Sequence, residues 1–368
     1  MTAWFTVANA DQIPSPALLV YPDRARENIR LMIRTAGGAS RLRPHIKTHK
    51  MAELVRMQIE EGVSKFKCAT IAEAELAARA GARDILIAYP ILGPNIERFV
   101  ALTRQFPETR FLGLADDVSA VRALEQRFTA TGLKAELLLD LDVGQHRTGI
   151  EPGPKAMELY RLISSRPAVV PGGLHVYDGH IMQPELAMRK TLCEAAFATA
   201  DTFRGELVAA NLAVPRFVAG GTPTFPIHAK RDGIECSPGT CVLWDFGYSS
   251  KFPELEFLHA ALVMTRVISK PGPNRLCLDL GHKAIGAENP PPRVSFLNLP
   301  DARPISHSEE HLVIESPSAA SFQVSDVLYG VPSHVCPTVA LHMEANIIRA
   351  GRATETWRVA ARDRRITI

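Results

Sequence analysis

Several features that mark other protein classes are absent from this chain of 368 residues. Its six cysteines are scattered and form no Cys-x-x-Cys pair, which indicates free thiols in a reducing cytoplasm rather than a disulfide framework. No apolar run approaches the roughly 20 residues that a membrane span needs. The N-terminus has neither the basic nor the apolar region of a secretory signal. We therefore expect a cytoplasmic protein without a membrane partner.

A strong charge of either sign is also lacking. Lysine and arginine number 42 against 39 aspartates and glutamates, and no basic tract with interleaved aromatics marks a nucleic-acid surface. Hydrophobic residues make up 46% of the chain, enough for a sizeable core. The length predicts two domains, or one barrel with an appendage. We expect small-molecule partners and no nucleic acid.

Short apolar runs alternate with helical patterns through the first two thirds of the chain. The predicted strands lie at residues 17–21, 42–46, 65–69, 84–88, 110–114, 134–141, 169–176 and 216–219. Such alternation is typical of a closed parallel (β/α)8 barrel, a TIM barrel, and the alternative is an open doubly wound sheet. From about residue 246, β-branched runs separated by proline, glycine and asparagine predict an antiparallel β domain. We thus expect an α/β protein with a barrel at 15–245 and a β domain at 246–368 that also takes in residues 1–14.

Polar residues that are unusual in a barrel core follow several of these strands. Chemistry in such barrels lies at the carboxyl ends of the strands. The residues concerned are Lys47, Thr70, Asp142, Gly144, His146, Arg147, His175, Tyr177, Asp178, His180, Gly220, Gly221 and Thr222. Each segment alone is compatible with an ordinary loop, but their shared position at one barrel face predicts a functional site.

The basic stretch at residues 43–50 contains a candidate for covalent chemistry. A lysine at a strand end, here Lys47, can condense with an aldehyde when burial or neighbouring cations leave part of its amine unprotonated. A solvated basic loop with a helix cap at Thr48 is the alternative.

The glycine turn at residues 220–224 has a matching use. Glycines let backbone N–H groups approach an anion, and a helix N-terminus after the turn would add a favourable dipole. A tight turn without a ligand is the alternative. A Schiff-base lysine and a phosphate turn together suggest pyridoxal phosphate. The turn at residues 235–240 would contribute further donors to the same phosphate, or would simply join two domains.

The segment at residues 333–338 contains His334 and Cys336. On an extended strand these side chains would point the same way and bind one metal, for which zinc is the best match. A buried cysteine beside a turn histidine is the alternative. The charged triplet at residues 309–311 is either a surface turn or a carboxylate support for a ring or a metal-bound water.

The sequence resembles the D-threonine aldolase and D-serine dehydratase family of pyridoxal-phosphate enzymes, which share the alanine racemase fold. The resemblance covers nearly the whole chain, and its motifs lie at residues 43–50, 69–75, 142–149, 219–224, 237–240, 279–283, 309–311 and 332–336. The first and last are the most specific: Arg-Pro-His-Ile-Lys-Thr-His-Lys and Pro-Ser-His-Val-Cys.

The resemblance implies roles for individual residues. Lys47 would form the Schiff base with pyridoxal phosphate, and His334 with Cys336 would bind a divalent metal (zinc, manganese or magnesium) that touches the substrate's β-hydroxyl. The other implied cofactor-binding residues are His45, Thr70, Arg147, Tyr177, Gly220, Gly221, Thr222, Gly239 and Thr240. Tyr177 and His180 are candidate catalytic residues beside Lys47, and the family implies a homodimer.

The implied activity is that of a lyase on β-hydroxy-D-amino acids. Retro-aldol cleavage to glycine and an aldehyde is the main expectation, and a D-serine or D-3-hydroxyaspartate dehydratase that gives a keto acid and ammonia is the alternative. Cys336 favours the dehydratase, because aldolases of this family carry a carboxylate there. The segment from His175 to His180 instead looks like bacterial proteins grouped with the aldolases. A racemase and a non-catalytic pyridoxal-phosphate carrier are more remote alternatives.

Overall fold

The computed structural model describes residues 3–368. The strands are β1 Ala17–Val20, β2 Lys65–Cys68, β3 Asp84–Pro90, β4 Arg110–Ala115, β5 Ala135–Leu141, β6 Val169–Val176, β7 Phe217–Ala219, β8 Glu235–Cys236, β9 Ala261–Gly272, β10 Arg275–Leu278, β11 Val294–Phe296, β12 Arg303–His307, β13 Leu312–Glu315, β14 Val327–Pro332, β15 Glu344–Arg349 and β16 Arg352–Arg358. The helices are α1 Pro22–Ala36, α2 Ala52–Glu60, α3 Ile71–Arg79, α4 Pro94–Gln105, α5 Val118–Thr129, α6 Pro154–Ser165, α7 Leu186–Ala209, α8 Phe225–His228, α9 Phe246–Lys251 and α10 Val335–Leu341.

These elements form two compact units. The barrel unit comprises Met32–Lys47, Ala52–Gly239 and Asp363–Ile368, and the sheet unit comprises the chain up to Leu31, Thr48–Met51 and Thr240–Arg362. Within residues 3–368, no helix is both long and apolar enough to cross a membrane.

The barrel unit is built on a parallel sheet in the order β2 to β8. An irregular segment at residues 42–45 closes the ring between β8 and β2. Leu42 bridges Cys236 and His45 bridges Lys67, both in parallel, and the Arg43 amide donates to the Cys236 carbonyl at 2.8 Å. The ring therefore closes through backbone hydrogen bonds, as the barrel prediction requires.

One predicted strand of this barrel, at residues 17–21, is wrong, and one barrel strand was not predicted. Residues 17–20 form β1, which pairs with β9 and β15 in the sheet unit. The missing barrel strand is β8, which lies where the sequence indicated a turn. It has only two residues, so it offers no alternation to detect.

The middle of the barrel interior is apolar. Leu86, Leu112, Leu138 and Val218 pack there in one cluster, as side chains from neighbouring parallel strands do in such barrels. Helix α3 shows how the outer helices form. The Thr70 hydroxyl accepts from the Glu73 amide at 3.1 Å as an N-cap.

The sheet unit has the strand order β12-β13-β10-β9-β1-β15-β16, with β14 also beside β9 and β11 beside β14. The predicted runs around residues 262–268, 275–280, 311–315 and 346–348 all fall on its strands. Most pairs are antiparallel, and β1 with β15 is parallel. The predicted extended segment at residues 333–338 is wrong, because α10 begins at Val335.

Candidate functional site

Lys47 lies at the carboxyl-terminal mouth of the barrel unit. It follows the closing segment in a short 3-10 turn, Ile46–Thr48, and its amide donates to His45 Nδ1 at 3.3 Å. The His45 amide in turn donates to the Pro238 carbonyl at 2.8 Å. Backbone bonds to the loop after β8 therefore fix the point from which the half-buried Lys47 side chain extends.

Two loops lie side by side at the same end of the barrel. The β7–β8 register pairs Ala219 with Cys236, so residues 220–222 run beside residues 237–239. The Gly239 amide donates to Thr222 Oγ1 at 3.1 Å. Within residues 3–368, the buried Ser237 hydroxyl has no hydrogen-bond partner. Since a buried polar group needs a partner, these loops have the donor chemistry to hold the phosphate of pyridoxal phosphate.

Buried side chains pack against the glycine turn and hydrogen bond to it. Gly220 has φ +82°, and a Cβ there would meet the His228 ring at 2.6 Å. The Gly221 amide donates to Thr224 Oγ1 at 3.2 Å, and this hydroxyl donates to Asp178 at 2.8 Å. The helix after the turn, α8, has only four residues, so the expected contribution of its macrodipole is negligible. Any anion at this turn would be bound by individual hydrogen-bond donors.

Asp178, Cys193 and His228 offer ligand atoms that all lie within 4.8 Å of one another. Arg231, which can only donate, lies 2.9 Å from His228 Nδ1. Nδ1 is therefore the acceptor, and Nε2 carries the proton that it donates to Asp178 at 2.7 Å. In this arrangement the cluster supports the glycine turn through Asp178 and Thr224. Because metal binding displaces the protons of histidine and cysteine ligands, its three side chains are also a possible metal-binding set.

Tyr177 packs directly against the glycine turn. A Cβ on Gly221 would lie 3.1 Å from its ring, and the Arg147 guanidinium lies 5.0 Å from the ring centre. His180 is exposed and packs on Gly144, where a Cβ would be 3.0 Å from its Nε2. Lys47, Tyr177, Arg147 and His180 thus all belong to the carboxyl-terminal loops of one unit.

Two predicted cofactor ligands have other neighbours. The Thr70 hydroxyl is occupied as the N-cap of α3. Thr240 belongs to the sheet unit, where its hydroxyl lies 3.7 Å from the Cys336 sulfur.

Sequence reasoning named His175 but missed Lys67 and Asp140, which form a buried set with it inside the barrel. Lys67 Nζ lies 3.0 Å from His175 Nε2, and His175 Nδ1 lies 2.6 Å from Asp140 Oδ1. The detectable signal was the alternation of Lys65 and Lys67 on a strand that must bury one face.

His334 and Cys336 come together at the start of α10. His334 is the N-cap residue, in extended conformation, and it hydrogen bonds to Cys336, which lies two residues later in the first turn of the helix. Its Nδ1 also donates to Glu288 Oε1 at 2.5 Å. Burial alone would lower the pKa of His334, but the hydrogen bond and charge of Cys336, together with Glu288, raise this pKa to about 9. An imidazole and a sulfur in contact, with a carboxylate behind the ring, have the chemistry of a metal site.

The triplet at residues 309–311 is at the surface. Lys283 pairs with Glu309 at 2.6 Å and with Glu310 at 3.3 Å, and all three side chains are exposed. The surface-turn interpretation of this triplet is therefore the one that the geometry supports.

Comparison with known proteins agrees with this architecture. Residues 20–244 match the family described as alanine racemase, N-terminal domain, and residues 260–348 match the serine dehydratase domain family. The chain belongs to the alanine racemase N-terminal domain family.

The chain is 29% identical to a D-threonine aldolase of Arthrobacter sp over 87% of its length and 85% of that protein. It is 27% identical to a 3-hydroxy-D-aspartate aldolase of Paracoccus denitrificans, over 95% and 92% of the two chains. The crystal structure of D-threonine aldolase from Filomicrobium marinum superposes with a TM-score of 0.89 at 26% identity, over 98% of this chain and 99% of that one. The predicted fold and family are confirmed, and the chain is a pyridoxal-phosphate-dependent lyase.

Proposed function

We propose that this chain is a pyridoxal-phosphate- and metal-dependent lyase that cleaves β-hydroxy-D-amino acids by a retro-aldol reaction. One observation carries the proposal. Lys47 extends from the same barrel mouth at which the Ser237 hydroxyl is buried beside the glycine turn, without a partner in the described part of the chain. An amine and an anion cradle in one unit match the aldehyde and the phosphate of pyridoxal phosphate. The names of the aldolase relatives suggest the substrate class.

The residues of the barrel unit have separate roles in this proposal. Lys47 would hold the cofactor covalently, and Gly221, Thr222, Ser237 and Gly239 would hold its phosphate. Bound pyridoxal phosphate supplies an electron sink for the bond that breaks at Cα. Arg147 and Tyr177 would orient the ring or the substrate.

His334 and Cys336 would hold a divalent ion, with zinc the best match to a nitrogen–sulfur pair. Such an ion supplies Lewis-acid polarisation of a hydroxyl. Glu288 would fix the His334 ring through Nδ1 and leave Nε2 for the metal.

Proton placement would decide the outcome. A base that takes the hydroxyl proton, for which exposed His180 is the candidate, leads to retro-aldol cleavage. If Lys47 takes the Cα proton, hydroxide leaves and the product is a keto acid. Cys336 favours this dehydratase alternative. We also propose a cytoplasmic homodimer, on the family resemblance.

Product analysis with D-threonine, with and without a chelator, tests the proposal. Glycine and acetaldehyde indicate the aldolase, and 2-oxobutanoate and ammonia indicate the dehydratase; in both cases the chelator should abolish turnover. L-threonine is the matched control and should not react. Turnover that persists undiminished after chelation, or no product from any β-hydroxy-D-amino acid, would contradict the proposal.

The metal assignment has its own test. Glu288→Gln should weaken zinc binding about 10–100-fold, because the carboxylate that orients His334 is lost. Glu309→Gln, a surface carboxylate of the same unit, is the control and should leave zinc affinity unchanged. Equal affinities in a calorimetric titration of the two variants would remove Glu288 from the site.

A further inference from the structure

Lys67, His175 and Asp140 form a hydrogen-bonded chain inside the barrel that the proposed reaction does not yet use. The Lys67–His175 distance is 3.0 Å and the His175–Asp140 distance is 2.6 Å. The exposed fractions of Lys67, His175 and Asp140 are 3%, 4% and 5%. Each residue lies near the carboxyl end of its strand, which is the end that carries Lys47.

The residues at the two ends of this chain, Asp140 and Lys67, fix the direction of its hydrogen bonds. The Asp140 carboxylate accepts from Thr148 Oγ1 at 3.0 Å and from His175 Nδ1. Nδ1 therefore carries the imidazole proton, and Nε2 is left as the acceptor for the Lys67 amine. Burial, followed by the charge of Lys67, lowers the pKa of His175 below its ordinary value of 6.5, so the ring is neutral at neutral pH and accepts from Lys67.

The charges around Lys67 set its protonation. Burial, and then the neighbouring charge of Lys47, lower the pKa of Lys67 to about 7, and the charges of Asp140 and Asp178 oppose this shift. The titratable and charged groups that face it are Lys47, Arg43, Asp140, His175, Tyr177 and Asp178. Its amine therefore changes charge near neutral pH, which is unusual for a lysine.

Backbone pairing places Lys67 next to Lys47. Lys67 is the bridge partner of His45, and its amide donates to the Pro44 carbonyl at 2.9 Å. Lys47 follows His45 by two residues and acts electrostatically on Lys67. Lys67, which binds a proton near pH 7, thus interacts electrostatically with Lys47, whose ammonium group must lose a proton before it can react.

We propose that Lys67, held by His175 and Asp140, accepts the ammonium proton of Lys47 and so frees the Lys47 amine to attack a carbonyl carbon. This inference rests on the proposed function in taking Lys47 as the amine that binds the cofactor aldehyde. One proton would pass from Lys47 Nζ to Lys67 Nζ, the amine would form a C=N bond in place of the aldehyde C=O bond, and its two remaining hydrogens would leave with the aldehyde oxygen as water. Lys67 acts through Lys47 and is a positioning residue.

The rate of covalent cofactor binding tests this role. Pyridoxal phosphate is added to the cofactor-free full chain from pH 5.5 to 9, and the visible Schiff-base absorbance is followed. Borohydride reduction and peptide mass analysis then confirm attachment at Lys47. The wild-type rate should rise through about pH 7. Lys67→Met should lose about tenfold or more at pH 7, and the rise should move to a more alkaline range.

Lys67→Arg separates proton acceptance from simple charge. Arginine keeps the positive charge but cannot accept a proton near neutral pH, so it should lose the rate as Lys67→Met does. A wild-type rate and pH profile in either variant would overturn the proposal. Lys65→Met, two residues earlier on β2, is the matched control and should keep the wild-type profile.

Failure of the proposed function gives a different result. If the wild-type chain forms no reducible adduct at Lys47, the cofactor assignment fails. A nitrogen-15 NMR titration of Lys67 in the wild-type chain needs neither cofactor nor variant. Titration near pH 7 supports the proton-accepting role, and titration near an ordinary lysine value overturns it.

Discussion

The two ends of the barrel interior differ in the partners that they offer to buried cations. Strand β2 contributes one lysine to each end. At the amino-terminal end, Lys65 pairs with Glu235 at 2.8 Å, and Arg43 pairs with both Glu235 and Asp84 at 2.7 and 2.6 Å. Two cations there meet two carboxylates. At the carboxyl-terminal end, Lys67 meets a neutral imidazole.

The difference shows how one residue type serves structure at one level of a barrel and chemistry at the next. A lysine opposite a carboxylate contributes an ion pair, as Lys65 does with Glu235. A lysine opposite a neutral ring, with a second cation nearby, gives up its proton near neutral pH. Such shifts concentrate at functional sites, and the carboxyl ends of the strands are where barrel enzymes place them.

Removal of Arg43 should produce the largest loss of stability. Arg43→Met leaves the carboxylates of Asp84 and Glu235 without their buried partner, so the free energy of unfolding should fall by about 3–5 kcal/mol. Urea denaturation measures it. Arg110→Met, which removes a half-exposed partner of Glu136, is the control and should cost about 1 kcal/mol or less. Equal losses of unfolding free energy in both variants would contradict the structural role assigned to the amino-terminal end of the barrel.

Lys67→Met should change how stability depends on pH. In the wild-type chain the pKa of Lys67 is about 7 when folded, against an ordinary 10.5, so the unfolded chain binds more protons between these values and stability rises with pH there. The cost of the buried charge is complete below pH 7 and disappears above about 10.5.

The methionine variant lacks that cost. Its stability relative to wild type should therefore be greatest at pH 6 and should decline by about 2–4 kcal/mol by pH 10. Urea denaturation of both chains at several pH values gives the difference. A difference that stays constant with pH would mean that Lys67 titrates as an ordinary lysine.

Lys65→Met should have the smallest effect. Glu235 keeps Arg43 as a partner, so the loss should be about 1 kcal/mol, and the difference from wild type should not change between pH 6 and 9. A pH-dependent difference like that of Lys67→Met would show that the two ends of the barrel do not differ.

The positions of many candidate site residues could be predicted from the sequence, because the ends of the strands can be recognised in it. The strands before Thr70, Asp142, Tyr177 and Gly220 were predicted near their observed positions, since apolar runs of four to eight residues are a strong signal. The shared carboxyl-terminal face then followed from barrel geometry. The proximity of His334 and Cys336 was predicted for the wrong reason, because they meet at a helix start and not along a strand, and their binding of a metal stays a prediction.

Other parts could not be predicted. The two-residue strand β8 is defined by its neighbours, and β1 is an apolar run whose sheet depends on long-range pairing. The Ser237 hydroxyl and Glu288 are ordinary residues in the sequence. Their relevance comes from one being buried without a partner and the other lying behind a histidine ring.

The sequence by itself determined the family and the alternation of strands and helices, and it predicted Lys47 as the reactive amine, because these depend on local periodicity and on residue types with little redundancy. The tertiary structure decided which lysine of β2 is opposed by a carboxylate and which by an imidazole. The pKa of a buried lysine depends on neighbouring groups that distant strands contribute, and the residue pattern of its own strand does not identify those groups.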